Sequence, residues 1–223
     1  MIVSMWMTRE LATVGAETTV AEAAEIMRLR HIRRLVVVAA PGSDRLLGIV
    51  TVTDVLHAFP PDVNPFAADP SLAARTQTLV GALLRHEPVT VAPDDPIERA
   101  AELMRERKIS GLPVVRDGRL VGLITASDIF RAFVSLFTGR ERGLRVTFDA
   151  SSCEHPFALL AQLAAGLDVE VRSFASTSEH DHPVCVVHVE GPGAEAFVER
   201  LWSSHRRVLN VLPLGAGTAT AGH

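Results

Sequence analysis

Two stretches of the chain carry the same pattern of apolar positions. Apolar residues recur at Val20, Ala23, Ala24 and Met27, and again at Ile97, Ala100, Ala101 and Met104. That i, i+3, i+4, i+7 spacing predicts an amphipathic helix in each stretch. Asp94-Asp95-Pro96 suits the start of the second helix, with acidic residues at its N-terminus and Pro in its first turn. A β-rich run follows each helix, Leu35-Val36-Val37-Val38 or Leu112-Pro113-Val114-Val115. After a turn comes a second strand, Leu46 to Val50 or Leu120 to Ile124, and a closing helix starts near Thr53 or Ser127. A short lead-in helix and a short strand, Thr13-Val14 or Thr90-Val91, precede each amphipathic helix. The order is strand-helix-strand-strand-helix, twice.

These stretches are copies of one unit. Thr13 to Val38 matches Thr90 to Val115 at an offset of 77 residues, with AAEIMRLR facing AAELMRER. The offset drops to 74 after the hairpin, because Ala39 to Arg45 is a longer loop than Arg116 to Arg119. Gly48-Ile49-Val50-Thr51-Val52-Thr53-Asp54 then faces Gly122-Leu123-Ile124-Thr125-Ala126-Ser127-Asp128. The lead-ins match too, Val3 to Met7 with Val80 to Leu84. The first copy spans 1–60 and the second 80–138. Between them, Pro60, Pro61, Pro65 and Pro70 rule out a long helix and leave 61–79 as a connection.

From Gly143 the periodicity changes. Leu144 to Phe148 alternates as a strand, Phe157 to Ala164 reads as a helix ended by Gly166, and Val169 to Ser173 with Val184 to Val189 read as a hairpin. Ala194 to Trp202 reads as a helix with Phe197, Val198 and Leu201 at core spacing, and Val208 to Leu212 as a last strand. The order βαββαβ over 143–214 is the ferredoxin-like split βαβ arrangement. The tail 215–223, rich in Gly, Ala and Thr, is expected to be flexible. The fold class is therefore α+β: two repeats of the order βαββα that form a pseudo-twofold pair, then the ferredoxin-like βαββαβ domain.

Composition narrows the function. The 223 residues are 48% hydrophobic and 22% charged, as in globular proteins. A formal net charge of -4 provides no global basic field for nucleic acid. No apolar run approaches the roughly 18 residues of a membrane helix. The N-terminus lacks a signal-peptide pattern, and two cysteines make no disulfide framework, so a cytoplasmic setting is expected. No P-loop, Rossmann fingerprint, Gly-x-Ser-x-Gly or His-Glu-x-x-His motif is present, which argues against an enzyme.

The chemistry lies in the repeated Thr-x-x-Asp segments. Thr51 with Asp54, and Thr125 with Asp128, stand where a strand passes into a helix. An ionised Asp there can accept hydrogen bonds from both hydroxyls of a ribose. The same pattern also fits a capping box that merely starts a helix.

The repeat, the paired Gly-h-h-Thr-x-x-Asp segments and Ile109-Ser110-Gly111-Leu112-Pro113-Val114-Val115 resemble the CBS domain, here in tandem as a CBS pair or Bateman module. The first copy departs from the pattern with Val36 where Pro113 stands. The resemblance implies two pockets for an adenosine nucleotide of the AMP, ADP or ATP type. One would join Ile49, Thr51 and Asp54 to Val89, Ile109 and Ser110. The other would join Leu123, Thr125 and Asp128 to Ala12, Ile32 and Arg33. The basic cluster His31, Arg33 and Arg34 leads us to expect the phosphorylated ligand in the Arg33-containing pocket.

The C-terminal domain resembles ACT-like regulatory domains, with Pro156-Phe157 where amino-acid-binding relatives carry Pro-Gly. The whole architecture resembles the acetoin-utilisation accessory family of CBS-CBS-ACT proteins. The resemblance implies a regulatory protein, homodimeric, acting on a target enzyme or transporter. No cofactor beyond the adenosine ligand is expected. The alternatives are a structural interaction module with empty pockets, and a metal-responsive regulator using His180, His182, Cys185, His188, Cys153 and His155. Strand alternation places Cys185 and His188 on opposite faces, against a shared metal.

Overall fold

The computed structural model describes residues 1–60, 63–66, 77–137, 142–151, 153–177, 183–204 and 206–214. Most of the 61–79 connection, His180 and His182, and the tail lie outside the described residues. The chain forms two compact units, Met1–Arg131 and Ala132–His223.

The first unit contains the first repeat and the second as far as Arg131. In the first copy, β1 (Thr13–Gly15) runs parallel to β2 (Arg34–Val38), which pairs antiparallel with β3 (Leu46–Thr51). Helix α1 (Val20–Leu29) buries Val20, Ala23, Ala24 and Met27, the four positions that the periodicity assigns to the core. Thr19 and Glu22 cap it reciprocally, satisfying backbone N–H groups that a helix start leaves unpaired. Helix α2 (Val52–His57) follows β3 directly.

The second copy repeats this plan with one loss. Helix α3 (Ile97–Arg107) precedes β4 (Gly111–Arg116), β5 (Arg119–Thr125) and α4 (Ala126–Phe137). The strand expected at Thr90-Val91 shrinks to a single bridge between Val91 and Val114. Pro113 explains the loss. In the first copy Val36 N–H donates to the Ala12 carbonyl at 3.3 Å, and proline at the matching position has no N–H to donate. Pro96 stands at the N-cap of α3, before the first turn where the sequence pattern puts it. Asp95 turns back to accept the Ala92 N–H at 2.7 Å instead of capping the helix.

The lead-ins are exchanged between copies. Residues Met1 to Thr8 dock on the second copy, where Ile97 N–H donates to the Met1 carbonyl at 3.0 Å and Val3 N–H to Asp95 at 3.0 Å. Residues Thr78 to Leu84 dock on the first, where Val20 N–H donates to Thr78 at 2.9 Å and Val80 N–H to Thr18 at 2.8 Å. Each lead-in thus satisfies an orphan donor at the start of the other copy's helix and buries a valine, Val3 or Val80, completely. Gly48 and Gly122 make room for this docking. A Cβ at Gly48 would lie 2.7 Å from Leu84 Cδ2, and one at Gly122 would lie 2.6 Å from Met7 Sδ.

The second unit has the βαββαβ order predicted from the sequence. It comprises β6 (Gly143–Asp149), α5 (Pro156–Ala164), β7 (Glu170–Thr177), β8 (Val184–Glu190), α6 (Ala194–Ser203) and β9 (Val208–Leu214). The sheet is antiparallel throughout, in the order β7-β8-β6-β9. Its core gathers Val146, Phe148, Leu160, Cys185, Val187, Phe197 and Leu201. Pro156 opens α5, where its missing N–H costs nothing, and Gly166 takes the left-handed conformation (φ +72°) just past the helix end.

Candidate functional site

A cavity of about 1000 Å³ opens in the first unit at the junction of the two copies. Ile49 and Thr51 reach it from the end of β3 and Asp54 from the first turn of α2. Val89, Ile109 and Ser110 reach it from the second copy. The six residues that the resemblance implies for this pocket all line this cavity. Its size suits a nucleotide-sized ligand.

Thr51 and Asp54 form a complete capping box. Asp54 Oδ2 accepts the Thr51 backbone N–H at 2.8 Å and the Thr51 hydroxyl at 2.6 Å, while Thr51 Oγ1 accepts the Asp54 N–H at 3.3 Å. The capping role thus uses one carboxylate oxygen. Oδ1 has no hydrogen-bond partner among the described residues and keeps its acceptor capacity for a ligand.

The repeat-related site differs, although Thr125 and Asp128 make the same box at 2.9, 2.7 and 3.4 Å. Here Arg131 donates to Asp128 Oδ1 at 2.9 Å and to the Trp6 carbonyl at 3.3 Å, and its guanidinium lies 5.9 Å from the centre of a Trp6 ring. Asp128 is buried as a result, only 6% exposed. Leu123 is zipped to the lead-in by two backbone hydrogen bonds with Thr8, both 2.9 Å. Among the described residues no bridge joins the corresponding pair, Ile49 and Arg85. Ala12 and Ile32, assigned to this second pocket, pack against the core of the first copy.

Arg33 was expected with Asp128. It lines the cavity that contains Asp54. Arg34, Arg85, His86, Arg107 and Lys108 line the same cavity and were not assigned to a pocket by the resemblance. Arg34 reaches across the junction to donate to Ser110 Oγ, and Gly111 leaves the space for it: a Cβ there would lie 3.1 Å from Arg34 Cδ. Burial, together with the positive charge of Arg33, lowers the affinity of Arg34 for its proton. Lys108 and its repeat counterpart His31 share a left-handed backbone, φ 53° and 52°. In the sequence, the available signal was the repeat alignment of Lys108 with His31 of the basic cluster.

In the second unit Cys185 is fully buried and packs in the core. Burial raises its thiol pKa. His188 is also buried, and its Nε2 lies 3.0 Å from the Arg142 carbonyl. Among the described residues no group of three or more His, Cys, Asp or Glu side chains gathers as a metal site, and no helix is long and apolar enough to cross a membrane.

The CBS-domain family matches residues 3–61 and 80–135. A CBS domain-containing protein of Dictyostelium discoideum is 31% identical over 136 residues, covering 60% of this chain and 92% of that protein. The solved structure of CBSX2 in complex with AMP superimposes with a TM-score of 0.51 at 27% identity, covering 61% of this chain and 98% of that one. A Vibrio cholerae protein named for acetoin utilization (AcuB) gives 0.50 at 29% identity, covering 61% and 93%. Other curated relatives include larger enzymes, of whose length this chain spans 23% and 32%.

Proposed function

Since the chain belongs to the CBS-domain family and carries two such domains in tandem, we propose that its first unit is a regulatory sensor of an adenosine nucleotide. The observation that carries this reading is the cavity in which Asp54 presents an unused carboxylate oxygen beside the apolar Ile49, Val89 and Ile109. Those apolar side chains suit the faces of a purine, and Asp54 suits the ribose hydroxyls. The AMP bound by CBSX2 supports the choice of ligand class. Thr51, Asp54, Ile49, Val89, Ile109 and Ser110 form the binding set.

The βαββαβ unit supports an ACT-like role in relaying the ligand signal, either within a homodimer or to a target enzyme or transporter. A relay requires that the ligand bind two states of the protein with different affinity. The second reading is an interaction module without a ligand, favoured by the completeness of both capping boxes. Thermal unfolding with AMP, ADP, ATP and S-adenosylmethionine separates the two. A ligand at 100 times its Kd adds about 2.7 kcal/mol and raises the melting temperature by several degrees. Absence of a shift with every adenosine compound, in protein purified free of ligand, would leave the interaction module.

A further inference from the structure

The cavity walls are unusually cationic for a chain of net charge -4. Five lining side chains are guanidinium or ammonium groups, Arg33, Arg34, Arg85, Arg107 and Lys108, against two carboxylates, Asp54 and Glu87. They converge from three separate segments: the approach to β2, the loop after the second lead-in, and the end of α3. The side chains of Arg33, Arg85, Arg107 and Lys108 make no ion pair or hydrogen bond among the described residues. Like charges held together without partners repel one another, and an anion placed between them removes that repulsion. The five cations exceed the two carboxylates by three charges, more than the ~1.5–2 negative charges of one phosphate monoester, so a chain of phosphates neutralises the wall more fully than a single one.

Among the described residues the second site is built differently. Arg131 and Trp6 cover Asp128, and the Thr8–Leu123 hydrogen bonds close the strand edge. At the open site the position matching Arg131 is His57, which is exposed and leaves Asp54 uncovered, and the position matching Trp6 is Leu83.

We propose that this cavity takes one nucleoside polyphosphate per chain, with Asp54 on the ribose and the cationic wall on the phosphates. The proposal rests on the nucleotide-sensor reading and narrows it to a ligand with two or more phosphates. It reverses the sequence expectation, which gave the phosphorylated ligand to the pocket of Asp128. S-adenosylmethionine, which carries a net positive charge, meets repulsion from the same wall.

The test is isothermal titration calorimetry of the full chain with adenosine, AMP, ADP, ATP and S-adenosylmethionine, in magnesium-free buffer at two salt concentrations. ADP and ATP are expected to bind at least ~10-fold tighter than AMP, with one site per chain. Their affinity should fall more steeply with salt than that of AMP, because each added charge is screened. Arg33→Ala and Arg107→Ala should each narrow the ATP-to-AMP ratio at least ~3-fold. AMP binding as tightly as ATP, or two equal sites per chain, would overturn the proposal while leaving the nucleotide sensor intact. A ratio unmoved by either substitution would also overturn it, since it would assign these cations to solvent and the helix end. Failure of every adenosine compound to bind would remove both readings.

Discussion

Arg131 closes over Asp128, with its Nη2 2.9 Å from the carboxylate, whereas the repeat counterpart Asp54 carries no such cover. Both aspartates begin a helix through the same reciprocal bonds to a threonine. What separates them is the residue one turn further on, arginine in one copy and histidine in the other. The two repeat-related aspartates thereby differ, one with an uncovered carboxylate oxygen and one with both oxygens engaged.

This asymmetry yields a prediction about the two carboxylates. Asp54→Asn keeps the volume and removes the charge that would hold a ribose. Charge-assisted hydrogen bonds contribute ~1.5–3 kcal/mol, so nucleotide affinity should fall at least ~10-fold. Asp128→Asn should change the affinity by less than ~3-fold. Calorimetric titration of both variants decides it, and comparable losses from the two would show that the sites share the ligand.

Arg131→Ala tests the closure from the other side. The guanidinium is 63% exposed, so its ion pair with Asp128 is screened by solvent and contributes only a few tenths of a kcal/mol. Its approach to Trp6 adds about 0.5 kcal/mol. Urea unfolding should therefore show a loss of at most ~1 kcal/mol. Nucleotide affinity at the open cavity should be unchanged, because Arg131 is absent from its lining. A drop in affinity matching that of Asp54→Asn would contradict the separation of the two sites.

Much of this was legible in the sequence because repetition and periodicity are local signals. The helical spacing of Val20, Ala23, Ala24 and Met27 marks their burial, and the repeat aligns Thr51 with Thr125. The residues gathered at the cavity were less legible for a physical reason. Arg85 follows a lead-in that docks on the other copy, and Arg34 crosses to Ser110, 76 positions away. Neither relation has a sequence period. The shortened strand at Val91 was readable in principle from Pro113, whose missing N–H removes the ladder bond that Val36 makes. The closure of Asp128 depends on Trp6, more than a hundred residues away in the chain, and no local pattern announces it.

Gly143 sets the start of β6, and its substitution should be costly. Its φ of +111° is unfavourable for any residue with a side chain, and an added Cβ would stand 2.2 Å from the Val189 carbonyl oxygen. Backbone strain and overpacking each cost ~1–3 kcal/mol, so Gly143→Ala should destabilise the second unit by roughly 3 kcal/mol. The β6–β8 pairing is where the loss should appear. Hydrogen exchange at Val187 and Val189 should accelerate while the amides of β2 and β4 stay protected. Uniform loss of protection across both units would instead show that they unfold together.

Cys185 supplies a prediction about pH. Its thiol is fully buried among Val146, Phe148 and Val187, and burial raises its pKa above the ordinary 9.0. The bond from Sγ to Ser176 Oγ, 3.4 Å, works in the opposite direction, and the nearby Cys153 reinforces burial. The thiolate is thus less favourable in the folded chain than in the unfolded one. That difference costs nothing below the unfolded pKa. As pH rises past about 9 the unfolded chain loses the proton first, and stability falls until the folded thiol also ionises. Urea unfolding at about pH 7.5 and pH 10 should show a larger loss for the wild type than for Cys185→Ala, whose own cost at neutral pH is ~1 kcal/mol for the small space left behind. The same burial should keep Cys185 unreactive toward a thiol reagent until the second unit unfolds. Equal losses in the two proteins, or rapid labelling of Cys185 in the native state, would mean that this edge of the core opens far more readily than its packing implies.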